Sequence, residues 1–233
     1  AARVPGARFI HAARSEHRPQ GLAISLETSW GPAQLHSGLL GDFNVDNLLT
    51  VLGVLLAHGL ALEPACALLA GCQAPPGRMQ LAGGGEQPLA IVDYAHSPDA
   101  LGNALRAARA HSSGRLLCVF GCGGERDRGK RPQMGRIAES LADALYITDD
   151  NPRGEDAQRI VADILAGLHH PQRAQVDHDR AAAITAALNA ATVGDVVLVA
   201  GKGHEDYQLI GAERRAFSDL AQVRAALAAR GAA

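Results

Sequence analysis

From about residue 86 to residue 201, short apolar runs alternate with segments whose apolar residues recur every three or four positions. PLAIVDY (88–94), RLLCVFG (115–121), ALYITDD (144–150), AQVDHD (174–179) and DVVLVAG (195–201) read as strands. The intervening PDALGNALRAARAH, KRPQMGRIAESLA, DAQRIVADILAGL and RAAAITAALNAA read as helices. A helix between two strands uses the length a hairpin lacks, so successive strands lie side by side in parallel. The expected fold is therefore α/β, a Rossmann-like, doubly wound, mostly parallel sheet. The tail adds a hairpin-like stretch, YQLIGAERRAF, and a closing helix to Arg230 with Ser218 as its N-cap.

The first 75 residues follow another pattern. GLAISLETS and GPAQLHSGLLG read as consecutive strands, and FNVDNLLTVLGVLLAHGL as an apolar helix ending near Gly59. Two prolines and a glycine in CQAPPGRM (72–79) interrupt the pattern just before the alternation starts, which divides the chain into residues 1–76 and 77–233. The first part is too short for a complete nucleotide-binding domain and reads as the end of one.

With 233 residues, 47% of them hydrophobic, the chain can bury one large core or two modest ones. A formal net charge of -2 argues against sequence-independent nucleic-acid binding. No apolar run is long enough to span a bilayer, and AARVPGARF lacks the apolar core of a signal peptide. A cytoplasmic monomer with neither nucleic-acid nor membrane partner is expected. The cysteines (Cys66, Cys72, Cys118, Cys122) contain no CxxC pair and sit among apolar neighbours, so buried free thiols are expected. No G-x-S-x-G elbow occurs, and no His and Cys cluster has metal-ligand spacing.

In an open parallel sheet, ligands bind beyond the C-terminal ends of the strands. The four unusual loops fall there: DYAHSPDAL, GCGGERDRGKRP, DDNPRGED and GKGHEDYQ. The only two lysines, Lys130 and Lys202, lie in two of them. Gly124, Gly129 and Lys130 match the opening of a P-loop, but Arg131 stands where a hydroxyl should reach magnesium. A dinucleotide fingerprint fails as well, because Arg126 occupies the place of the third small residue after Gly121 and Gly123. In DDNPRGED, Asp149, Asp150 and Glu155 suit an ammonium and Arg153 a carboxylate; equally, the loop is a solvated turn with Asp156 as N-cap. In GKGHEDYQ, Lys202 and His204 are candidate polar contacts and Glu205 a second ammonium acceptor. Ser97 reads as a cap with Pro98 at the first helical position, and His96 as a base, a nucleotide contact or a structural group. Asn44 and Asn47 read as caps or as amides that meet a base edge. Together, arginines for carboxylates and acids for ammoniums suit a small zwitterion such as an amino acid.

DYAHSPDAL, VFGCGGERDRGKRPQMG, ITDDNPRGED and AGKGHEDYQ, in this order, closely resemble the C-terminal half of the Mur ligase family, in particular its diaminopimelate-adding members. FNVDNLLTVLGVLLAHGL and PPGRM resemble the end of that family's ATP-binding central domain and its junction with the C-terminal, amino-acid-binding domain. The resemblance implies an ATP-dependent amide ligase of peptidoglycan synthesis that joins meso-diaminopimelate to UDP-MurNAc-L-Ala-D-Glu through an acyl phosphate, with Mg2+ at the phosphates. It implies diaminopimelate contacts at Arg126, Asp150, Asn151, Pro152, Arg153, Gly201 and Glu205. It also implies ATP contacts at Asn47, Arg78 and Asp93, with His96 beside them. Complete members carry a UDP-sugar domain, a true P-loop and a carbamylated lysine that assists magnesium binding. None of these is found in this sequence, and neither Lys130 nor Lys202 stands at that lysine's position. A fragment is therefore expected, without catalytic residues or metal ligands of its own and inactive alone. The alternatives are a free-standing amino-acid or peptide-binding module, a folylpolyglutamate-type ligase, and a nucleotide hydrolase using 124–131 as a P-loop.

Overall fold

In the computed structural model, which describes residues 7–231, the alternating region forms a six-stranded sheet. The strands are β4 (Gln80–Gly83), β5 (Leu89–Asp93), β6 (Leu116–Phe120), β7 (Ala144–Ile147), β8 (Gln175–Val176) and β9 (Val196–Ala200). Their spatial order is β4-β5-β9-β6-β7-β8, with every neighbouring pair parallel except β4 with β5. The chain steps outward from β5 to β8 through α3 (Pro98–Ala110), α4 (Lys130–Leu141) and α5 (Ala157–Leu165). It then returns through α6 (Arg180–Ala190) to insert β9 between β5 and β6. Right-handed crossovers put outward and returning helices on opposite faces, so this reversal winds the sheet on both sides.

Side-chain alternation agrees with that layering. Ala90, Val92, Leu117, Val119, Val197 and Val199 pack with Ile184 and Leu188 of α6 and with Val223 and Leu227 of α7 (Asp219–Gly231). The intervening Ile91, Cys118 and Leu198 are equally buried and by strand period face the other layer, where α3 meets β6 and β9. Each of the Val, Ile and Leu side chains contributes about 1.5–3 kcal/mol through burial. Ser97 and Asp156 cap α3 and α5, accepting from the N–H of Ala100 and of Gln158. The expected terminal hairpin is β10 (Tyr207–Ile210) with β11 (Glu213–Ala216).

The chain divides by contacts into two compact units between Ala74 and Pro75. In the first, β1 (Ile10–Arg18), β2 (Gly21–Thr28) and β3 (Gly31–Ser37) form an antiparallel meander. Leu22, Ile24 and Leu26, spaced by two, pack against Val45, Leu48, Leu52 and Leu56, spaced by three and four on α1 (Asp42–Ala57). The second helix of this unit, α2 (Leu62–Ala70), adds Ala65, Cys66 and Leu69.

Several expectations are corrected. The strand expected over 174–179 shrinks to Gln175–Val176, both exposed, because Asp177 and Asp179 are committed to the turn that caps α6. Neither Asn44 nor Asn47 caps α1: the cap position is Gly41, and Asn44 Nδ2 instead donates to Leu40 O at 2.8 Å. Cys72, just past α2, is exposed, whereas Cys66, Cys118 and Cys122 are buried. Residues 1–6, which entered the reading against a signal peptide, lie outside the described residues.

Candidate functional site

The loops after β5, β9, β6 and β7 emerge at the same sheet edge, and two of them lie backbone to backbone. A Cβ on Gly121 would meet Thr148 O, and one on Gly124 would meet Pro152 O, so only glycine permits this approach. The N–H of Gly124 donates to Asn151 O at 2.9 Å, that of Glu125 to Glu155 Oε2 at 3.1 Å, and that of Gly129 to Asp127 Oδ1 at 2.8 Å. Three backbone donors that would cradle a phosphate are thus committed to protein acceptors, which weighs against the P-loop reading. Arg131, fully buried where a P-loop has its hydroxyl, grips Glu155 through Nη1 at 2.9 Å and Nη2 at 2.7 Å and reaches Asp163 at 2.9 Å. The Arg131 hydrogen bonds, joined by the N–H of Glu125 and the charge of Arg128, hold Glu155 down to about 2. Glu155, read as an ammonium acceptor, is instead the clamp between these loops. Lys130 Nζ donates to His96 O at 2.7 Å and ties in the loop after β5.

This clamp presents two arginines. Arg126 is exposed, and its Cγ lies 3.7 Å from a Cβ built on Gly123, a point from which Arg153 Nη1 is 2.9 Å away. Arg153 adopts a left-handed backbone, φ 54°, held because its N–H donates to Leu209 O at 3.0 Å and its carbonyl accepts from Gly211 N at 2.6 Å. Its Nη1 donates to Gly124 O at 2.8 Å, which orients the guanidinium across the glycine loop. The preceding Pro152 is buried and fixes the turn.

Behind the arginines stands an acidic group. Asp150 and Asn151 are buried, and Asn151 Nδ2 donates to Glu205 Oε2 at 2.8 Å while Asn151 Oδ1 accepts from Leu209 N at 2.9 Å. Lys202, which sequence reasoning took for a ligand contact, turns inward: it is fully buried with Nζ 3.0 Å from Asn151 Oδ1, 3.1 Å from Glu205 Oε2 and 3.5 Å from Asp150 Oδ1. Burial pushes the Asp150 carboxyl up from its ordinary value, and the charges of Arg180 and Lys202 only partly offset it. Gly201, φ 119°, runs beside it, where a Cβ would lie 3.5 Å from Asp150 Oδ2. Beneath lies a second buried pair, Arg180 Nε to Asp219 Oδ1 at 2.7 Å and Nη2 to Oδ2 at 2.8 Å.

The residues expected at a nucleotide separate into two sets. Arg78 lies over the Tyr94 ring at 4.9 Å, and the rings of His96 and His204 flank Tyr94 at 4.7 and 5.1 Å. His96 Nδ1 lies 2.9 Å from Tyr94 O; a carbonyl only accepts, so Nδ1 carries the proton and a neutral ring presents Nε2 as a lone pair. Asp93 Oδ2 accepts from Met79 N at 2.8 Å, pinning residue 79 to the end of β5. Burial raises the Asp93 carboxyl even though N–H donors and Arg78 oppose it. Asn47 belongs to the first unit, on α1, with Nδ2 on Asn44 Oδ1 at 3.1 Å. The exposed Arg78 guanidinium could donate to a nucleotide phosphate chain, whereas the Nε2 of exposed His96 could accept from a hydroxyl or an amine. Magnesium fits less: among the described residues no cluster of three or more His, Cys, Asp and Glu can hold a metal, and Asp150 and Glu205 already surround Lys202.

These charged loops stand on a doubly wound, mostly parallel sheet, and the sequence comparison gives the family to which the chain belongs. The chain belongs to the Mur ligase family, whose glutamate ligase domain matches residues 77–203. It is similar to the UDP-N-acetylmuramoyl-L-alanyl-D-glutamate--2,6-diaminopimelate ligase of Ectopseudomonas mendocina, with 50% identity over 95% of this chain and 45% of that protein. A solved ligase of the same name superposes with a TM-score of 0.79 at 40% identity, covering 98% of this chain and 47% of the other. The chain thus spans a little under half the length of these relatives. Folylpolyglutamate synthase of Mycobacterium tuberculosis, solved with ADP and AMPPCP, shares the fold at 18% identity and a TM-score of 0.64, covering 82% of this chain and 45% of the other.

Proposed function

We propose that this chain is part of an ATP-dependent amide ligase that adds meso-diaminopimelate to UDP-MurNAc-L-Ala-D-Glu during peptidoglycan precursor synthesis. Residues 1–76 would be the end of its ATP-binding domain and residues 77–233 its amino-acid domain. The observation that carries the reading is the pairing of Arg126 and Arg153 over Gly123, together with the buried carboxylate of Asp150 and the half-buried one of Glu205 that meet at Lys202. Diaminopimelate has two amino-acid head groups. Arg126 and Arg153 hold the carboxylate of one, Asp150 and Glu205 receive its ammonium, and Asn151, Pro152 and Gly201 fix the loops that carry them. The second amine is thereby left to attack.

ATP supplies the phosphoryl group that turns the D-glutamate carboxylate into a reactive acyl phosphate. The amine nitrogen forms the new C–N bond, the C–O bond to phosphate breaks, and the nitrogen loses a proton. Arg78 and His96 would face the nucleotide, with Asp93 as a further contact; in the first unit, Asn47 is the candidate ATP contact. No step is assigned to magnesium, since among the described residues no cluster of three or more His, Cys, Asp and Glu can hold it. A cytoplasmic, monomeric enzyme belongs to the same proposal; no described helix is long and apolar enough to cross a membrane.

The test is Arg153→Ala in the full-length protein. A charge-assisted pair removed from one end of the substrate should raise KM for diaminopimelate roughly 10- to 100-fold and leave KM for ATP near its starting value. An unchanged KM for diaminopimelate would remove the assignment.

A further inference from the structure

The reaction proposed above has no use for Lys202 as nucleophile or base, yet Lys202 is fully buried in the site. Its loop leaves β9 through Gly201, φ 119°, and Gly203, φ 55°; a Cβ on Gly203 would lie 2.6 Å from Tyr94 Cβ. The tight turn, closed by Glu205 N on Lys202 O at 2.9 Å, aims both side chains at one point, where Nζ and Glu205 Oε2 are 3.1 Å apart. An ammonium stripped of water is stable only when its donors are satisfied, and here Asn151 Oδ1, Glu205 Oε2 and Asp150 Oδ1 satisfy them. Around Asp150, the charges of Arg180 and Lys202 face those of Glu205 and Asp219. Arg180 is already committed to Asp219 through two hydrogen bonds. Three carboxylates thus face two cations, which leaves one uncancelled negative charge, and Lys202 is the cation hydrogen-bonded to both Asp150 and Glu205.

We infer that Lys202 is the positioning residue of the ammonium-binding end: it locks Asn151 and Glu205 in one geometry and cancels one of two carboxylate charges, so the site takes a single external ammonium. Unneutralised, the same oxygens would repel one another or draw in a hard divalent cation. The inference rests on the amino-acid site proposed above. It assigns specificity for a monocation to a residue that never touches the substrate.

The experiment uses the full-length ligase with Lys202→Met and Lys202→Ala. Lys202→Met should raise KM for diaminopimelate about tenfold or more while KM for ATP and for the UDP-linked substrate stays within about twofold. Millimolar propylammonium should lower the raised KM of Lys202→Ala, and 1-propanol, of similar size without charge, should not. Equal KM changes for all three substrates, equal rescue by propanol, or no rescue by propylammonium would overturn the inference. So would failure of both variants to fold, which would make Lys202 a residue of the fold alone. A wild-type enzyme that does not use diaminopimelate would overturn the proposed function; one that does, with variants of unchanged KM, would overturn only the role of Lys202.

Discussion

Glu155 shows how one side chain decides what its loop can bind. Its carboxylate takes both ends of the Arg131 fork and the N–H of Glu125, so the glycine loop is clamped to the DNPR turn. Because its folded pKa is depressed to about 2 from 4.5, its contribution is complete above pH 4.5 and is lost as pH falls toward about 2. Glu155→Gln should therefore lower the melting temperature at neutral pH and flatten its fall across that acid window. Thermal melts from pH 7 to pH 2 read this directly; parallel curves for the two proteins would contradict it. That Arg131 does not serve a nucleotide was legible from the missing hydroxyl. Its actual partners were not, since Glu155 and Asp163 lie 24 and 32 residues away.

Between elements, the site depends on two loops touching through glycine. A methyl on Gly124 runs into Pro152 O, so Gly124→Ala must push the loop after β6 away from the loop after β7. We expect a cost of about 1–3 kcal/mol, a fall of several degrees in melting temperature, and a raised KM for diaminopimelate. Calorimetry and steady-state kinetics check both; a variant that melts and turns over like the parent would show that the contact is dispensable. Strands β5, β6, β7 and β9 were readable because their sides are buried on both faces and give unbroken apolar runs. The edge strands were less so: β4, QLAG, had no signal, and β8, expected over 174–179, keeps only two exposed residues. Helix α2, LEPACALLA, is too short to display a clear period. Lys202 was visible as a lysine in a glycine loop, but its inward turn depends on Asp150 and Asn151, about fifty residues earlier.

For the whole molecule, the reversal of strand order around β9 is what gathers the four loops at one edge, and the proposed activity follows from the charges they carry. The central claim is that a second amino-acid head group is recognised by both its charges. The direct measurement is kcat/KM for meso-diaminopimelate against L-lysine, which lacks the second carboxylate, in the full-length enzyme and in Arg126→Ala/Arg153→Ala. The parent should prefer diaminopimelate by about two orders of magnitude or more, since lysine leaves the arginines unpaired, and the double variant should lose most of that preference. Equal use of lysine by the parent, or a preference unchanged in the double variant, would contradict the account.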